Sequence, residues 1–255
     1  MHDLLGLFFT LAIGLFIVLG SIIVFVTKNN NKFIHFSISL AFGVMGALVV
    51  LELLPETFEL IGENYSQSIT IALVVGFALV GVLGLKLIDH FIPDHHVHHD
   101  EKKDTKDNFF HIGLISSIAL ILHNIIEGMA VYSSLTSSLS LGVLVSIGVG
   151  LHNIPMGMVI TSTFYKANNN IRKTMFMIFI ISISTFVGGL IMYFNSGFLI
   201  NDTILGILLS ITMGMLIYII IFELLPHIIH SENKKKDILG IILGILLIVI
   251  SVLFE

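Results

Sequence analysis

Apolar stretches long enough to cross a membrane recur eight times in this chain, at roughly 4–26, 33–58, 68–91, 110–133, 138–165, 172–194, 202–229 and 237–254. A helix needs about 20 apolar residues to span the hydrocarbon of a bilayer. In lipid every backbone polar group must find its partner within the structure, so runs of this length fold as helices. The expectation is an all-α integral membrane bundle of eight transmembrane helices in one domain covering residues 1–255. Only 11% of residues are charged, against about 25% in soluble domains. The first run has no basic stretch before it and no small-residue cleavage site after it, and is expected to be a retained helix. The net charge of −5 comes without a basic block, which excludes nucleic acid as a partner. With no cysteine, disulfides and thiolate metal sites are excluded as well.

The cations set the expected orientation. All twelve Lys and Arg fall in or beside alternate connections: Lys28 and Lys32; Lys86, Lys102, Lys103 and Lys106; Lys166, Arg172 and Lys173; Lys234, Lys235 and Lys236. The other connections and the two ends hold Asp3, Glu59, Glu63, Asp202 and Glu255 instead. Cytoplasmic connections carry the excess of Lys and Arg, so both termini are expected outside a cell membrane.

Two hexapeptides concentrate what little polarity the runs contain. The fourth run holds His123-Asn-Ile-Ile-Glu-Gly and the fifth holds His152-Asn-Ile-Pro-Met-Gly. On a helix His123 and Glu127 stand one turn apart on the same face, with Asn124, His152 and Asn153 adding polar atoms. Pro155 removes one backbone bond and is expected to break the regular helix beside Leu151. On a soluble helix such a pair would be an ordinary surface contact. Inside a bilayer an ionisable side chain costs about 2.5–3.5 kcal/mol and marks an ion or substrate path. Nitrogen, carboxylate and thioether donors converging there read as a metal site.

The chain also repeats itself. Glu52-Leu-Leu-Pro in the second run returns as Glu223-Leu-Leu-Pro in the seventh, and Ser39 and Gly43 match Ser210 and Gly214 at the same offset. Glu52, Glu56 and Glu59 align with Glu223, His227 and His230, each trio along one helix face, and Met45 is placed on the Glu52 face one heptad earlier. The two runs cross the membrane in opposite directions, so the repeat is inverted, a frequent design of secondary transporters. Runs 1–3 and 6–8 form its halves, with 4 and 5 between them, a 3+2+3 order. The connection near 92–109 is rich in histidine (His95, His96, His98, His99, with His90 before it), a composition suited to capturing zinc and its neighbours.

These residues resemble the ZIP (Zrt-, Irt-like) metal transporters of bacterial type. The resemblance rests on His-Asn-x-x-Glu-Gly, His-Asn-Ile-Pro-x-Gly, Gly-Val-Met in the second run and the histidine-rich connection, and it covers the whole chain. It implies transport of divalent transition metals, above all Zn²⁺, into the cytoplasm, with Fe²⁺, Mn²⁺ and Cd²⁺ as further substrates. It implies His123, Glu127 and Met45 as first-site ligands, Asn124 and Asn153 facing a second position, and His152 as a metal-site residue that matches the family's common one. The partners are then metal cations and the lipid bilayer, and a homodimer is an allowed assembly.

Two departures from the family pattern bear on the site. Met156 stands where relatives place Glu or His, and Phe186 where many carry a carboxylate. A second metal position would then keep mainly neutral amides and be weak or absent. Thioethers at Met45 and Met156 soften the donor set toward copper(I) or a broader selectivity. Two other readings stay open: an intramembrane zinc hydrolase with Glu127 as general base, and a metal sensor that binds without transport. No His-Glu-x-x-His is present to favour the first.

Overall fold

The computed structural model describes residues 2–27, 31–91, 101–195, 201–231 and 233–253. These residues form helices and no strand. They are α1 (His2–Val26), α2 (Asn31–Leu48), α3 (Leu54–Gly62), α4 (Gln67–Phe91), α5 (Glu101–Ser137), α6 (Leu139–Asn168), α7 (Ile171–Asn195), α8 (Asp202–Tyr218), α9 (Leu225–Ile229) and α10 (Lys234–Val252). Two π-helical turns, Val49–Leu53 and Ile219–Leu224, carry α2 into α3 and α8 into α9. Among the described residues, seven stretches are long and apolar enough to cross a membrane: Asp3–Val26, Phe33–Gly62, Gln67–Phe91, Phe109–Ser137, Gly142–Asn168, Ile171–Asn195 and Asp202–Ile229. The expected eighth, α10, is shorter, and its first turn carries Lys234, Lys235, Lys236 and Asp237. His95, His96, His98 and His99 lie outside the described residues.

Three local expectations need correction. Helix α5 starts at Glu101, nine residues before the apolar run, because helix hydrogen bonding does not stop where hydrocarbon stops and Glu and Lys favour it in water. Helix α6 runs unbroken through Pro155. One lost backbone bond is tolerated in a helix that neighbours hold on several sides. The second span is not one straight α-helix. Pro55 has no N–H to give, and the preceding Leu54 N–H reaches back five residues to Val49 O. The wider turn inserts extra rotation between Met45 and Glu52, so the simple heptad relation between them is lost.

Lipid gives packed helices no hydrophobic drive, so close backbone approach at small residues must hold them. Helix α1 lies on α6 and α7, α5 on α6 and α7, α2 on α10, and α4 on α8. The last glycine of each hexapeptide sits at such a crossing. A methyl group on Gly128 would overlap the Thr185 carbonyl oxygen of α7, and one on Gly157 the Ile17 carbonyl oxygen of α1. The partner helices reply with Gly188 against Ile125 O and Gly20 against Ile154 O. Polar ties add to the contact: Ser182 Oγ donates to Gly14 O at 2.6 Å, and Ser21 Oγ lies 2.7 Å from Thr161 Oγ1. The helices that carry the hexapeptides are thereby fixed against α1 and α7 one residue from Glu127 and from Met156.

Candidate metal centre

Helices α5 and α6 bring His123, Glu127 and His152 together, all three buried, with one ligand atom from each within 4.8 Å of the others. His152 Nε2 is hydrogen-bonded to Glu127 Oε1 at 2.6 Å, and His123 Nε2 lies 3.4 Å from the same oxygen. The two rings stand 6.2 Å apart between centroids. Glu127 Oε2 and His123 Nδ1 have no hydrogen-bond partner although both are buried. A buried carboxylate against two imidazoles is costly to assemble unless something charged completes it. Two nitrogens and one carboxylate oxygen make a donor set that could hold a zinc ion.

His152 thus stands in the cluster beside His123 and Glu127. Its other ring nitrogen, Nδ1, lies 3.9 Å from Glu52 Oε2. Glu52 sits in the first π-turn. From there a cavity of about 440 Å³ is lined by Glu52, Glu56, Glu59, His123 and Glu127. The three glutamates of the second span therefore share one space with the central pair. A larger groove of about 860 Å³, between Asp3, Tyr132, Tyr193 and Asp202, shares no residue with the cluster.

The other expected residues divide by environment. Asn124 is buried and donates its Nδ2 to Ile181 O at 3.2 Å, while its Oδ1 has no partner. Asn153 is buried with neither amide atom partnered. An unsatisfied buried amide costs about 1–3 kcal/mol, so these atoms lie ready for a polar guest. Met45 and Met156 are fully buried in the apolar core and neither lines the cavity.

At the far end of the seventh span, His227 Nδ1 lies 3.3 Å from Glu223 O and its ring packs on Phe109. His230 is exposed, with Nδ1 2.8 Å from Pro226 O. Glu223 joins a second cluster that sequence reasoning missed. His111 Nε2 lies 2.7 Å from Asp89 Oδ1 and 3.7 Å from Glu223 Oε1, and Tyr218 donates its hydroxyl to Asp89 Oδ2 at 2.6 Å. Asp89 and His111 stand near the ends of apolar runs, where charged residues are ordinary, so nothing in the sequence set them apart.

Residues 93–251 match the family model described as "ZIP Zinc transporter". A protein named zinc transporter ZupT from Streptococcus mutans is 31% identical over 99% of this chain and 98% of its own length. Proteins of the same name from Oceanobacillus iheyensis and Clostridium perfringens are 32% and 30% identical, each over 98% of this chain and over 97% and 95% of their own lengths. With a matched family model over more than half its length and relatives aligned nearly end to end, this chain belongs to the ZIP zinc transporter family.

Proposed function

We propose that this protein carries zinc across a cell membrane into the cytoplasm, and that the buried cluster of His123, Glu127 and His152 is where the cation is held in transit. Family members are transporters and not enzymes, which removes the hydrolase reading. The observation that carries the proposal is the single cavity in which Glu52, Glu56 and Glu59 meet His123 and Glu127. A cation drawn in by three carboxylates meets His123 and Glu127 within that same cavity. Three donors are enough to strip hydration and few enough to release, as a permeation site requires. Asn124, Asn153 and Met156 frame an adjoining neutral position. Release runs past Glu223, His227 and His230 toward the histidines at 95, 96, 98 and 99. Fe²⁺, Mn²⁺ and Cd²⁺ are further substrates, and a homodimer is the proposed assembly.

The proposed architecture is one domain in a 3+2+3 order with both termini outside. Supporting it, α4 on α8 answers α10 on α2, and α1 on α6 answers α7 on α5, which is the exchange an inverted repeat demands. The two π-turns fall at matching places, each just ahead of a proline. Uptake of zinc by proteoliposomes of the purified chain tests the function. Accumulation against a protein-free control is expected, and tight binding without accumulation would replace transport by sensing.

A further inference from the structure

We propose that Asp89, His111, Glu223 and Tyr218 form a latch that shuts the lysine-bearing end of the bundle against the central cluster and must open for a cation to leave. The inference rests on the transport reading above, but its test does not depend on measuring transport. Asp89 closes α4 and His111 belongs to α5, yet α4 packs chiefly on α8 and α5 chiefly on α6 and α7. The contact between Asp89 and His111, at 2.7 Å, therefore ties together helices that otherwise meet little. Tyr218, buried in α8, holds the second Asp89 oxygen at 2.6 Å, and Glu223 flanks the imidazole at 3.7 Å. Three helices and the second π-turn thus converge on one carboxylate and one ring.

The stretch behind this knot is closed. Twelve residues of α5 separate His111 from His123, roughly 18 Å along the axis. Ile112, Ile115, Ala119 and Leu120 in that stretch are all buried in the apolar core. Its one polar atom without a partner is Ser116 Oγ, on a residue 1% exposed. The cavity that reaches His123 and Glu127 is lined by none of Asp89, His111, Tyr218 or Glu223. Among the described residues, the cavity at the centre accordingly reaches Glu59, whereas the α5 stretch toward Glu223 is packed in the apolar core. Something at that end must part, and the contacts that bridge α4, α5 and α8 are the ones a parting of those helices has to break.

The chain has no native cysteine, so a single introduced thiol reports cleanly on access. Ser116→Cys is placed behind the latch and Asn233→Cys on the exposed surface of the same end as a control. Both are labelled with a charged maleimide in the full-length protein in lipid nanodiscs. Ser116→Cys alone should react far more slowly than Asn233→Cys. Adding Asp89→Asn, or Tyr218→Phe, which removes only a hydroxyl, should speed it about tenfold, the population shift expected for one lost charge-assisted bond. The control rate should not change. If Ser116→Cys already reacts as fast as the control, the end is not shut and the proposal falls. It falls equally if neither second substitution speeds the reaction while the control labels normally. Should Asp89→Asn not yield folded protein, Tyr218→Phe decides alone. A wild-type chain that takes up no zinc would instead count against the transport reading.

Discussion

Replacing His152 with alanine probes the part of the centre that only the folded chain reveals. In the native cluster Glu127 Oε1 is shared by His152 Nε2 at 2.6 Å and His123 Nε2 at 3.4 Å. The substitution removes the closer partner and one of three cation donors, and it leaves a buried carboxylate facing a single imidazole. Losing a group that merely supports a metal ligand costs about 10–100-fold in affinity, so losing a donor should raise half-saturating zinc by at least about a hundredfold. The orphaned carboxylate separately lowers the stability of the metal-free protein, since breaking a buried charged pair costs about 3–5 kcal/mol. Part of that loss should be recovered by His152→Gln, whose amide can still donate to Glu127. Initial rates of radiolabelled zinc uptake into proteoliposomes, at matched protein density and over a wide zinc range, give the comparison. A His152→Ala protein whose half-saturation stays within about twofold of the parent would refute the reasoning. The metal would then be held by His123 and Glu127 without the third donor.

Other substitutions test separate links. Gly128→Ala drives a methyl group into the Thr185 carbonyl oxygen, so α5 must shift beside Glu127 and uptake should fall at least about tenfold with the helix content unchanged by circular dichroism. Met156→Glu adds a carboxylate to a fully buried position near the unpartnered Asn153 amide, and zinc stoichiometry on purified protein should rise by one ion, with slower turnover. Replacing His95, His96, His98 and His99 together should leave initial uptake within about threefold of the parent, because a histidine-rich composition suits metal buffering beside the path; abolished uptake would put the connection inside the path.

Much of this molecule could be read before it was folded, because a bilayer leaves a chain few choices. Long apolar runs must be helices, and a His and a Glu one turn apart inside them need a purpose, so α5 and its pair were legible from spacing alone. The Glu52, Glu56 and Glu59 series was legible for the same reason, and all three do line one cavity. His152 was legible as a neighbour of the α5 pair, but its bond to Glu127 was not, since that depends on how α6 rotates against α5, and rotation is set by glycine crossings with α1 and α7 that lie far away in sequence. The π-turns were hidden too. Pro55 and Pro226 signalled a disturbance, but not that it would be absorbed upstream as a wider turn carrying Glu52 and Glu223. His111 and Asp89 became visible only when separate helix ends met.

The most direct test of the central claim is anomalous diffraction at the zinc absorption edge from crystals of the zinc-soaked protein. The account predicts a strong peak bounded by His123 Nε2, Glu127 and His152 Nε2, lost in the Glu127→Ala protein. Zinc found only elsewhere in the bundle, with no peak among those three side chains, would contradict it.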